Sequence, residues 1–246
     1  MFKPIRGFTS LQRTPQTDLK LGSVLAFVAG AANAGGFLAV GQYTSHMTGI
    51  LSSVADHLVL GELALALAAT GSVLAFLLGA MSTAWLVNWG MRRQLRSAYG
   101  LPLVLEAAAL LVFGLFGAAI GVMTPVFLPL TVVLLCFIMG LQNAVITKIS
   151  RAVIRTTHVT GLITDLGIEL GKLLYVNRQR GSTPVRANRD RLRVHGQLIA
   201  CFLVGGIAGA LGFKHLGFVS TVPLALMLLL LVMRPALDDW HRLRAA

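Results

Sequence analysis

Apolar residues dominate six stretches of the chain, at about 19–40, 63–89, 101–122, 126–147, 196–213 and 217–233, without regular alternation of polar and apolar positions. A run of about 20 apolar residues is what an α-helix needs to cross the hydrocarbon of a bilayer, where each backbone polar group must be satisfied within its own segment. A transmembrane barrel would show alternation instead. The pattern predicts an all-α, polytopic membrane helix bundle of about six spans. Pro102 opens the third run, Pro125 and Pro129 make the turn into the fourth, and Pro223 predicts a local kink in the sixth.

Composition agrees: 56% of the 246 residues are hydrophobic and only 12% are charged. The net charge of +12 would suggest nucleic acid in a soluble protein, but the positions of the basic residues point elsewhere. With the N-terminus inside, four basic residues fall in the N-terminal tail, three near residue 95, ten between 148 and 195 and three after 233, leaving Lys214 alone on the outer side. Such bias sets topology, so both termini are expected in the cytoplasm. The basic loop 176–195 has no interleaved aromatics for base stacking; it is expected to meet anionic lipid headgroups, not nucleic acid. Cys136 and Cys201 both lie within apolar runs and read as small hydrophobes.

The most informative pattern is internal. Residues 46–58 read HMTGILSSVADHL and residues 158–170 read HVTGLITDLGIEL; upstream, AGAANA at 29–34 faces MGLQNA at 139–144. Downstream, Phe76-Leu-Leu-Gly79 parallels Phe202-Leu-Val-Gly205. Three spans per copy is an odd number, so the second copy should lie inverted relative to the first, an arrangement found in many secondary transporters. Each copy also breaks its helix: after Asn33 and after Asn143 comes a His-x-Thr-Gly step, then a shorter helical stretch. Threonine before such a stretch reads as an N-cap, and the free N–H groups of two such broken or re-entrant helices could converge on one polar or anionic group.

Asn33, His46, Thr48, Gly49, Asn143, Thr157, His158, Thr160 and Gly161 are therefore the expected solute-binding residues. The simpler alternative is that the histidines cap or cross-link helices and the Thr-Gly steps are close-packing contacts. Acidic residues are scarce in the apolar part, and a carboxylate at the bilayer centre costs roughly 2.5 to 3.5 kcal/mol on insertion scales. Glu106, about one turn into the third run, and Asp56, Asp165 and Glu169, which follow the two motifs, are the candidates for ion coupling or proton relay. The copies differ here, since Ser53 aligns with Asp165 and His57 with Glu169.

The Asn-Ala helix, the Met-Thr-Gly step at 47–49, the Gly-Leu-Gln-Asn-Ala run at 140–144 and the Thr-Thr-x-x-Thr-Gly run at 156–161 resemble the YoaK family of bacterial multi-pass inner-membrane proteins. Members more often carry Asn after the first Thr-Gly and Asp near the first Asn, where this chain has Ile50 and Asn33. The resemblance implies the architecture and no established activity. The chain divides into a cytoplasmic tail 1–18, a first membrane repeat 19–122, a second repeat 123–233 and a cytoplasmic tail 234–246.

The reading that follows is a small-solute or ion transporter or channel with its site between the repeats, compatible with a homo-oligomer. A membrane scaffold or lipid-binding protein is the main rival. No enzyme and no cofactor are expected: the chain has no Gly-x-Ser-x-Gly, no His-Glu-x-x-His, no cysteine pair at metal-ligand spacing and no nucleotide-binding loop.

Overall fold

The chain folds into helices, which the computed structural model describes over residues 14–120, 123–150, 157–177 and 183–244. They are α1 (Pro15–Val40), α2 (Met47–Val59), α3 (Leu63–Arg92), α4 (Leu101–Ala119), α5 (Thr124–Ile149), α6 (Val159–Leu174), α7 (Arg189–Leu216) and α8 (Thr221–Arg244), with a 3-10 turn at Gly217–Ser220 before the last. Thr14 caps α1 by accepting from the Thr17 N–H while Thr17 Oγ1 accepts from the Thr14 N–H, and Gly41 ends it in the left-handed region at φ 74°. There is no strand among the described residues. α1, α3, α4, α5, α7 and α8 lie within the segments long and apolar enough to span a bilayer, and α2 and α6 are about half as long as the longer of them.

Four expectations about the chain are corrected. Pro223 sits in the first turn of α8, where its missing N–H would have had no helical partner anyway, so it has no kink to cause. Pro129 lies inside α5, because that helix already starts at Thr124. The basic loop is shorter than 176–195, since Asn188 caps α7 through the Asp190 and Arg191 N–H groups and residues from 189 onward are helical; residues 178–182 of it lie outside the described residues. Residues 234–244 are not a free tail. They continue α8, and Asp239 accepts hydrogen bonds from the Arg96 and Ser97 N–H groups at 2.9 and 2.8 Å and from Ser97 Oγ at 2.7 Å, which holds this end of α8 against the α3–α4 connection.

Packing is organised by glycines that let backbones meet. Helices in lipid have no hydrophobic drive toward one another, so close contact depends on small residues. A Cβ on Gly30 would overlap the Phe202 carbonyl, and one on Gly205 would overlap the Phe27 carbonyl. The same exchange recurs between Gly79 and the Phe137 carbonyl, and between Gly140 and the Phe76 carbonyl. Phe27-x-x-Gly30 thus crosses Phe202-x-x-Gly205, and Phe137-x-x-Gly140 crosses Phe76-x-x-Gly79. Further pairs fix direction: Gly209 lies on Ala31 and Gly35 on Phe213, so α1 and α7 run parallel. Thr83 Oγ1 donates to the Leu141 carbonyl at 3.0 Å and Lys148 to Asn88 at 3.1 Å, so α3 and α5 also run parallel.

Between these two pairs the direction reverses. Gln142 Nε2 donates to the Leu25 carbonyl at 3.0 Å while Gly36 faces Leu135, which makes α1 and α5 antiparallel. α4 and α8 are antiparallel as well, with Gly100 against Val232 and Gly117 against Phe218. Leu25, Val28, Leu110, Phe113, Ile138, Met139 and Leu228 form the shared core, and Leu115, Trp85 and Leu203 stand among the exposed apolar side chains.

A methyl group on Gly205 should push α7 off α1; overpacking of this kind costs about 1 to 3 kcal/mol. The Gly205→Ala protein is expected to melt below the wild type, whereas Gly71→Ala, at a position with open space around it, should hold or raise the melting temperature.

Candidate functional site

Each of the two repeated motifs folds back on the helix that precedes it. After α1 the chain turns at Gly41 and returns far enough for Ser45 Oγ to donate to Asn33 Oδ1 at 2.9 Å. Asn33 lies seven residues before the end of α1, about 10 Å inside that end. α2 starts from there and covers about 20 Å, roughly two thirds of the hydrocarbon thickness, before the Gly61 turn leads into α3. In the second copy Thr157 Oγ1 donates to Asn143 Oδ1 at 2.5 Å, and α6 starts from that depth. Asn33 and Asn143 are both buried, and Asn143 Nδ2 also donates to the Met139 carbonyl at 3.0 Å.

The residues that open α2 and α6 match in conformation. His46 (φ −90°, ψ 68°) and His158 (φ −80°, ψ 54°) occupy the N-cap positions, and neither side chain caps the helix. This corrects the expectation that threonine is the cap: Thr48 and Thr160 stand in the first turn, exposed. The His46 ring lies over Gly49, where a Cβ would make the ring shift; Gly161 has open space instead.

The structure brings these residues together in two places, not one. Asn33, Ser45, His46 and Gly49 gather at the start of α2, and Asn143, Thr157 and His158 at the start of α6. With Gln142 opposite Leu25, the two asparagines sit about 12 Å apart along the bundle. Beside the first cluster a cleft of about 360 Å³ opens between α1 and α7, lined by Gly30, Asn33, Phe37, Tyr43, Phe202 and Gly206 among others. Phe37 and Tyr43 stack at 4.7 Å on its wall. The backbone around Tyr43, which carries this aromatic pair, drew no attention in the sequence because its partner Phe37 lies across a turn.

The acidic candidates separate by environment. Asp56 is exposed, and Asp165, also exposed, reaches to 4.0 Å from His195 Nε2 on α7. Glu169 is buried and fully engaged: Lys172 Nζ donates to one oxygen at 2.8 Å and the Asn188 N–H to the other at 2.7 Å. His57, its counterpart in the first copy, contacts Glu62 at 2.6 Å. Glu62 and Asn188 are the N-cap residues of α3 and α7, so positions 57 and 169 each latch a half-length helix to the start of the next span. Glu106 differs from all of these. It is completely buried, and among the described residues neither carboxylate oxygen has a hydrogen-bond partner.

A helical bundle with this many lipid-length apolar segments defines an integral, polytopic membrane protein. The chain belongs to a family described as protein of unknown function (DUF1275), whose model matches residues 21–233. No curated protein and no solved structure matches it.

The Lys172 ammonium, and after it the Asn188 N–H, hold the Glu169 carboxyl below its ordinary range. A lowered carboxylate pKa contributes stability that is fully present above the ordinary range and is lost as pH falls through the lowered value. Glu169→Gln should therefore speed hydrogen exchange in α6 at neutral pH, with the difference from wild type shrinking as the buffer is acidified; an equal difference at all pH values would contradict the latch.

Proposed function

We propose that this protein, built from two inverted three-span repeats, carries a small solute or ion across the bacterial inner membrane by relative movement of helix pairs drawn from both repeats, with both termini in the cytoplasm. The observation that carries the reading is the direction of the helices. α5, which opens the second copy, runs antiparallel to α1, which opens the first, while each packs parallel to the third helix of the other copy. Two copies of opposite orientation, each broken by a half-length helix at membrane depth, is the design in which secondary transporters place their sites. The basic residues assign the cytoplasmic side. Arg186, Arg189 and Arg193, near the start of α7, would meet anionic headgroups on that side. The resemblance to YoaK proteins fits this architecture.

The moving parts are not the sequence halves. α1 packs chiefly on α7, which also holds α6, and α3 packs chiefly on α5, which leaves α2 on α3. These interleaved pairs are the natural rigid bodies, and α4 with α8 joins them. The Asn33 and Asn143 clusters lie on opposite sides of the centre, so a solute would meet one from each side of the membrane in turn. Asn33 also borders the α1–α7 cleft, whose other walls are largely apolar or aromatic, which favours a small solute with few polar groups.

The test is flux through purified protein in proteoliposomes across a panel of small solutes and ions, with Asn33→Ala and Asn143→Ala as variants. One lost hydrogen bond of about 1 kcal/mol corresponds to roughly a fivefold change in rate. Both variants are expected to slow a transported solute by at least about that factor. A panel in which wild type never exceeds empty liposomes would remove the transport reading and leave a membrane scaffold.

A further inference from the structure

The two copies define a centre, and Glu106 stands on it. In α1 and α5 equivalent positions are 110 apart (Phe27 and Phe137, Gly30 and Gly140, Asn33 and Asn143). Leu25 faces Gln142 and Gly36 faces Leu135, so the level at which each helix meets its own counterpart lies between Val28 and Gly30 in α1, and between Ile138 and Gly140 in α5. In α4 and α8 equivalent positions are 121 apart, as Pro102 and Pro223, Leu103 and Leu224, and Leu110 and Leu231 show. Gly100 faces Val232 and Gly117 faces Phe218, which puts the self-facing pair at Glu106 and Met227. At the level of the pseudo-two-fold axis one copy thus has a carboxyl where the other has a thioether.

That carboxyl is completely buried and, among the described residues, neither of its oxygens has a hydrogen-bond partner. An ionised carboxylate in such a place would be stripped of water with nothing in exchange, a state a protein avoids by neutralising the group. The elements packed against α4 offer no counter-charge at this level. Arg92 of α3, Lys148 of α5 and the charged stretch of α8 from Arg234 to Arg244 gather at the end where α4 begins, and Cys136 of α5 is the other titratable group. Nor do converging oxygens make a cation site, since a sodium or calcium ion needs several oxygen ligands. Other buried oxygens without partners lie at other levels. Gln142 Oε1 is about 6 Å from the centre toward the start of α1, and Thr44 Oγ1, beside Gly36, about 10 Å the other way.

We infer that Glu106 is a proton-exchanging site: it holds a proton in the resting protein and releases it when movement of the helix pairs exposes it to water. This deepens the transport reading, on which its physiological use rests, by making the proton the coupling ion; the titration itself is measured without any solute.

The experiment uses the full chain reconstituted in lipid. Infrared difference spectra across a pH series should contain a protonated-carboxyl carbonyl band that disappears as pH rises, and that is wholly absent from Glu106→Gln. Dicyclohexylcarbodiimide, an apolar reagent, provides the second readout. The carboxylic O–H adds across its C=N bond to give an O-acylisourea, which rearranges to a stable N-acylurea detected by mass. The adduct is expected on Glu106, with yield falling as pH rises and unchanged by added sodium. A band that never titrates would make Glu106 a permanently neutral structural group, and protection by sodium at fixed pH would make it a cation ligand; either overturns the inference. Glu106→Met, which copies the residue at the equivalent position, supplies a second variant should the amide misfold. Absence of solute flux alongside a titrating Glu106 would count against transport and leave the proton site standing.

Discussion

The packing of this molecule is organised by four contacts in which a phenylalanine carbonyl of one helix rests directly on a glycine of another. In lipid, apolar side chains gain little by leaving one apolar surroundings for another, so association depends on how closely backbones can approach. Gly30, Gly79, Gly140 and Gly205 permit that approach, and in each case the opposing atom is the carbonyl of a phenylalanine three residues before a partner glycine. The contact is reciprocal within each crossing. It also joins the first helix of one copy to the third of the other, so neither copy has a complete packing surface alone.

This interleaving explains how two half-length helices are held beside the longer ones. α2 and α6 have few or no buried residues of their own. They are held at one end by the Asn33–Ser45 and Asn143–Thr157 hydrogen bonds and at the other by His57–Glu62 and Glu169–Asn188. Both anchors sit on helices fixed by the glycine crossings. The same geometry brings Glu106 and Met227, equivalent positions of the two copies, to one level.

Much of this was legible in the chain. The apolar runs gave the spans, and the repeated His-x-Thr-Gly step gave the two copies, because both are local patterns. One side of each crossing was visible as the Phe76–Gly79 and Phe202–Gly205 likeness; the matching Phe27–Gly30 and Phe137–Gly140 were in plain view but lay upstream of the motif that drew attention. Which segment packs on which is set by long-range direction, and that is where the sequence reading went astray. Similar motifs suggested one shared site, whereas antiparallel α1 and α5 carry Asn33 and Asn143 to opposite sides of the centre. The C-terminal residues read as a separate cytoplasmic tail because nothing near Asp239 in sequence reveals that its oxygens meet the N–H groups of Arg96 and Ser97. Glu106 was noticed for its charge, but its isolation and central level appear only once α4 is set against α8.

The central claim is that the two copies lie in opposite senses across one bilayer. Single cysteines at Leu60, in the turn after α2, and at Val185, before α7, in a protein whose Cys136 and Cys201 have been replaced by alanine, test it in intact cells with a membrane-impermeant maleimide. Leu60→Cys should react from outside and Val185→Cys only after the cytoplasmic face is opened. Labelling of both from the same side would contradict the account.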